Sequence, residues 1–253
     1  MKEFDRLVEI MATLRSENGC PWDRKQTLET LKSFLIEEAY ETVDAIDEQD
    51  FDKLKEELGD LLLQIIFQSR IAEECGKFTI EEVIKTINEK MIRRHPHVFG
   101  NDKVNSTDEV LENWEKIKAK EREKKKEKGF LSGIAKNLPA LQVAFQIGVK
   151  TSRIGFDWKT PEEVIDKFKE EWKEFEKAKN SGNRKKIKEE IGDVLFTIAQ
   201  IARKYEIDPE DALRETNKKF MKRFKHIEEN TDIYNSSLEQ MEKLWQEAKK
   251  KDY

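Results

Sequence analysis

The 253 residues carry 48 Lys and Arg against 53 Asp and Glu, for a net charge of −5, and only 37% are hydrophobic. That balance gives no global field for nucleic acid or a membrane surface, and 10 Gly with 5 Pro are too few for the frequent turns of a β-sandwich. The two cysteines, Cys20 and Cys75, exclude a disulfide framework and a thiolate metal site.

In chain order, residues 1–17 are amphipathic and charged, unlike a secretion signal. No apolar run approaches the roughly 20 residues of a membrane span, so a cytoplasmic protein is expected. Leu31, Phe34, Leu35, Glu38, Thr42 and Ala45 share one stripe and predict a helix over about 27–46. Leu54, Leu58, Leu61, Ile65 and Ile66 predict a second over 51–75, stopped by Gly76. Thr79 caps a third that reaches about 94, before Pro96, and Ser106-Thr107-Asp108-Glu109 opens a fourth carrying Trp114. Residues 116–128 interleave Lys with Glu, which reads as a solvated helix end or linker; the glutamates cancel the field that phosphate contacts need, so nucleic acid is disfavoured. Leu138-Pro139-Ala140 then opens a helix leading to Gly155-Phe156-Asp157-Trp158, and further helices are expected over 161–179, 183–205, 209–227 and 236–250. Nothing alternates as a strand would. An all-α protein follows.

The two halves repeat. Glu37-Glu38-Ala39-Tyr40-Glu41 and Glu56-Glu57-Leu58-Gly59-Asp60 return as Glu170-Glu171-Trp172-Lys173-Glu174 and Glu189-Glu190-Ile191-Gly192-Asp193, at a constant offset of 133. Asn88, Lys90, Arg94 and His97 match Asn217, Lys219, Arg223 and His226 at offset 129, and Trp114 with Lys118 matches Trp245 with Lys249 at 131. Four blocks in one order mark a tandem duplication of helical bundle units. The expected division is 1–120, a charged linker over 121–133, and 134–253. Abundant Lys and Glu together also fit a protein from a hot environment.

Chemistry enters where glutamates break the apolar stripes. Glu38 follows Leu31 by seven residues on the inward face, and Glu41 lies about 60° round from it. Glu57 and Asp60 sit likewise on the next helix, which returns across a short turn; Glu171, Glu174, Glu190 and Asp193 repeat the set. Clustered carboxylates repel and are poorly solvated unless a cation joins them, and an all-oxygen donor set selects Mg²⁺ or Mn²⁺. A di-iron bundle needs Glu-x-x-His, whereas His95, His97 and His226 follow Ile92, Arg94 and Arg223. Lys90 with Arg94 and Lys219 with Arg223 share a helix face, and Lys53 and Lys186 precede each Asp by seven residues. Taken singly these cations read as solvated side chains; repetition in both units brings phosphate binding level with that reading. Trp114 and Trp245, with Lys118 or Lys249 a turn later, fit a base-stacking position or a core tryptophan equally.

With these motifs and Arg93-Arg94-His95-Pro96-His97-Val98-Phe99, Gly19-Cys20-Pro21-Trp22-Asp23 and Gly155-Phe156-Asp157-Trp158, the chain resembles the MazG family of nucleoside triphosphate pyrophosphohydrolases in its two-unit form. The resemblance covers almost the whole chain. It implies two four-helix-type bundle units that form a homodimer, and Mg²⁺-dependent hydrolysis of nucleoside triphosphates between the α and β phosphates. It places metal ligands on Glu38, Glu41, Glu57, Asp60, Glu171, Glu174, Glu190 and Asp193, and water activation on Glu37 and Glu170. Phosphate contacts fall on Lys53, Lys90, Arg94, Lys186, Lys219 and Arg223, with Arg93 adding cationic reach, and base contacts on Trp114 and Trp245. Unit two departs from unit one where Phe224-Lys225 replaces His95-Pro96. The absence of a base-reading polar motif predicts broad base specificity and a role in nucleotide-pool housecleaning. The competing expectation is a helical scaffold that binds nucleotide without turnover.

Overall fold

The computed structural model describes residues 2–124 and 129–251. Every element among them is helical, and no helix is long and apolar enough to cross a membrane. The chain parts into two compact units, Met1–Lys125 and Lys126–Tyr253. Of the stretch expected as a linker, residues 125–128 lie outside the described residues.

Unit one contains α1 (Lys2–Leu14), the short α2 (Pro21–Lys25), α3 (Leu31–Asp47), α4 (Phe51–Glu74), α5 (Ile80–Arg94), the short α6 (Pro96–Phe99) and α7 (Thr107–Lys124). The amphipathic N-terminal stretch becomes α1, which lays Met11 against Leu31, Ile66, Phe67 and Ile71, with Phe4, Leu7, Val8 and Leu14 at the margin. Burying each of these large side chains contributes roughly 2 kcal/mol. Arg15 fastens the end of α1 to the end of α4 through Glu74, and also donates to the carbonyl of Asp23. α3 starts with its apolar stripe at Leu31 rather than near 27, because Thr27 and Thr30 form a reciprocal turn, each accepting the other's backbone N–H. α5 opens with a capping box, Thr79 accepting from the Glu82 N–H while Glu82 accepts from the Thr79 N–H. Such a cap is worth about 1 kcal/mol.

Unit two contains α8 (Ala140–Ser152), α9 (Pro161–Ser181), α10 (Arg184–Lys204), α11 (Pro209–Asn230) and α12 (Leu238–Lys250), with α10 packed between α8 and α9. Thr160, Asn183, Asp208 and Ser237 cap the last four. Gly148 lets α8 approach α10, since a Cβ there would collide with Gln200 Oε1. Gln200, fully buried, donates to the Ala144 carbonyl and accepts from Arg203. Each unit therefore has five long helices among the described residues, the first of them (α1 or α8) added to the four that carry the repeated motifs.

Candidate active site

In each unit a helical hairpin sets the site. α3 and α4 are joined by three residues, with Gln49 at φ 56 and Asp50 accepting from the N–H groups of Asp52 and Lys53. α9 and α10 meet across Gly182, whose φ of 66 favours glycine, and Asn183, which caps α10. So tight a turn fixes the register of each pair and puts the acidic segment of one helix opposite that of the next.

The result is two groups of three carboxylates. Oxygens of Glu38, Glu41 and Glu57 lie within 4.8 Å of one another, and those of Glu171, Glu174 and Glu190 do the same. Asp60 and Asp193 fall outside these tight groups. Three residues beyond Glu57 or Glu190, each is turned about 60° and one rise of about 4.5 Å further along its helix. Both still act through their charge. Burial, then Asp60, Glu41, Glu57 and Glu37, raise the Glu38 carboxyl above its ordinary range. Burial, then Glu41 and Asp60, raise that of Glu57 against a lowering by Lys53. Burial, then Glu174, Asp193 and Glu171, raise that of Glu190. Carboxylates held reluctant to ionise, with oxygen donors alone and none of them histidine or cysteine, fit a hard divalent cation.

The first glutamates of the motif differ between units. Glu37 is exposed on α3 beside Glu38, whereas Glu170 accepts from Lys167, whose Nζ also reaches Glu171 at 2.7 Å. Glu171 and Glu170 hold Lys167 well above the usual lysine range. Sequence reasoning passed over Lys167 because it has no counterpart in the repeat: Phe34 stands there in unit one.

The expected phosphate cations are dispersed. Lys53, one turn before Glu57, pairs with Glu48 at 3.1 Å. Lys186 and Lys219 are exposed, and Lys90 borders a surface hollow with Phe78, Val83 and Ile87. Arg93 and Arg94 both bind Glu121 of α7, at 2.7 and 2.6 Å, and hold that carboxyl down at about 2. Trp114 lies edge-on to His95, with Arg94 at 6.0 Å and Lys118 at 5.6 Å from its ring. Trp245 packs against Phe220, with Arg223 at 5.7 Å. Both tryptophans thus have a cation at the ring and an aromatic neighbour.

Two further features lie in unit two. Asp157 of the Gly-Phe-Asp-Trp segment is clamped by Arg203 and by Lys204, the latter at 2.7 Å, and Lys204 also donates to the Trp158 carbonyl. A cavity of about 430 Å³ lined by Ile147, Phe156, Trp158, Phe196 and Gln200 sits beside this clamp. Phe196 follows Asp193 by three residues on α10.

The MazG nucleotide pyrophosphohydrolase domain model matches residues 26–99 and again 159–228, and so encloses one acidic group in each match. A nucleoside triphosphate pyrophosphohydrolase/pyrophosphatase MazG from Thermotoga maritima is 48% identical, over 97% of this chain and 95% of that one. A nucleoside triphosphate pyrophosphohydrolase from Escherichia coli K12 is 40% identical over 100% and 99%. An uncharacterized protein, YabN, from Bacillus subtilis is 46% identical over 98% of this chain, which spans 52% of that protein.

Proposed function

The chain belongs to the MazG family of nucleotide pyrophosphohydrolases, and on that footing we propose that it hydrolyses ribo- and deoxyribonucleoside triphosphates between the α and β phosphates, yielding a monophosphate and pyrophosphate. The observation that carries this reading is the pair of three-carboxylate groups at equivalent places in both units. Glu38, Glu41 and Glu57, and Glu171, Glu174 and Glu190, would hold Mg²⁺ (or Mn²⁺), with Asp60 and Asp193 completing each set from one turn along. The cation supplies charge neutralisation of the triphosphate and activation of water.

The chain's own residues do the rest. Glu37 and Glu170 accept the proton of the attacking water. Lys53, Lys90, Arg93 and Arg94 in unit one, and Lys186, Lys219 and Arg223 in unit two, stabilise charge on the departing pyrophosphate. Trp114 and Trp245 stack on the base, with Lys118 now over the Trp114 ring turning to the phosphates, and stacking tolerates any base. Broad base specificity suits housecleaning of the nucleotide pool. Exposed Ile36, Ile46, Leu58 and Ile65 on α3 and α4, with Trp172, Ile191, Leu195 and Ile198 on α9 and α10, support a homodimer that covers these faces.

Incubation with Mg²⁺ and each nucleoside triphosphate, with products resolved, tests the reading. Monophosphate and pyrophosphate are expected. Diphosphate with orthophosphate would overturn the α–β assignment, and tight nucleotide binding without any product would favour a binding scaffold.

A further inference from the structure

The two acidic groups match in their carboxylates and differ in one cation. In unit two the Lys167 ammonium lies 2.7 Å from Glu171 Oε1 and 2.9 Å from Glu170 Oε1, against the most buried member of the group. In unit one the equivalent position is Phe34, which packs on the core and edge-on against Trp22, and among the described residues no ion pair reaches Glu38, Glu41 or Glu57. Unit one therefore meets its cation with no ammonium bonded to its three carboxylates, Lys53 being paired with Glu48 and reaching Glu57 only through its field, whereas unit two already holds one positive charge on a carboxylate that the cation requires.

We propose that Lys167 is a built-in counter-ion that weakens bare divalent-metal binding in unit two, so that the two sites load at different metal concentrations, unit one first. This rests on the carboxylate groups being metal sites, as read above. A dication entering unit two must either displace the ammonium from Glu171 or bind beside it. A unit charge within one helical turn of a dication, in a water-like medium, changes binding by about tenfold. The carboxylates then serve two sites that respond to separate ranges of free metal, and a rise in metal concentration recruits the second site after the first.

The test is Mn²⁺ titration of the full metal-free chain without nucleotide, with free ion followed by electron paramagnetic resonance. Wild type should show two unequal classes of site. Glu41→Gln should remove the tighter class and Glu174→Gln the weaker. Lys167→Met should tighten the weaker class about tenfold, and Lys167→Arg, which keeps the charge, should leave it weak. A weaker class that Lys167→Met leaves unchanged, or loss of the tighter class in Glu174→Gln, would overturn the inference while the metal sites stand. Absence of Mn²⁺ binding in either unit would overturn both.

Discussion

Replacing Glu38 by Gln should make the metal-free protein more stable and the metal-loaded protein less so. Glu38 has carboxylate oxygens of Glu41 and Glu57 within 4.8 Å. At about that distance two like charges repel by about 0.8 kcal/mol in water, and salt near 0.15 M removes about half. Two such neighbours, with a smaller share from Asp60, give about 1 kcal/mol that the neutral amide relieves. For a unit of this size that raises the melting temperature by about 3–6 °C. The pH dependence fixes the sign. A carboxyl raised above its ordinary 4.5 contributes stability below that value and loses it as pH rises through the raised one. The variant's advantage should therefore open between pH 4.5 and 8 and close in acid. Calorimetric melting in EDTA across that range measures it, and saturating Mg²⁺ should reverse the order, because wild type keeps the ligand that the variant lacks. A variant that melts lower than wild type in EDTA at pH 8, or that gains as much from Mg²⁺, would refute the argument.

Asp157→Asn leaves Arg203 and Lys204 without their shared carboxylate and should cost about 2–4 kcal/mol, read by urea unfolding of unit two; a loss under about 0.5 kcal/mol would make the clamp a surface pair. Trp245→Ala should raise KM several-fold for purine and pyrimidine triphosphates alike. An unchanged KM there, with a raised KM for Trp158→Ala, would move the base into the cavity beside Phe196. Across a panel of canonical and damaged triphosphates, kcat/KM should vary by less than about a thousandfold. A larger gap needs about 4 kcal/mol of specific contacts, more than tolerant stacking supplies.

The helices were legible because their signals are local. Asp50, Thr79, Thr160, Asn183 and Asp208 begin helices where cap chemistry places them, and the stripe of α3 gave its buried face, whereas Leu58 and Ile65 of the α4 stripe are exposed. The pairing of Glu38 with Glu57 was legible too, since a short hairpin turn leaves few registers. What sequence spacing could not carry is contact between distant segments. Glu121 finds Arg94 across 27 residues, and Asp157 finds Arg203 across 46. Neither pair has a periodicity to announce it. Lys167 was hidden for the opposite reason: it is local, four residues from Glu171, yet a search for what the units share passes over what only one of them has. Asp60 and Asp193 match the repeat perfectly, yet their positions further along α4 and α10 leave them outside the tight groups.

The most direct test of both carboxylate groups is the double variant Glu41→Gln with Glu174→Gln, which removes one ligand charge from each group at little steric cost. Assayed with Mg²⁺ and a nucleoside triphosphate, and with pyrophosphate release followed, it should be essentially inactive while keeping the wild-type helical spectrum. Full pyrophosphate release by that folded double variant would contradict the assignment of both carboxylate groups to the reaction.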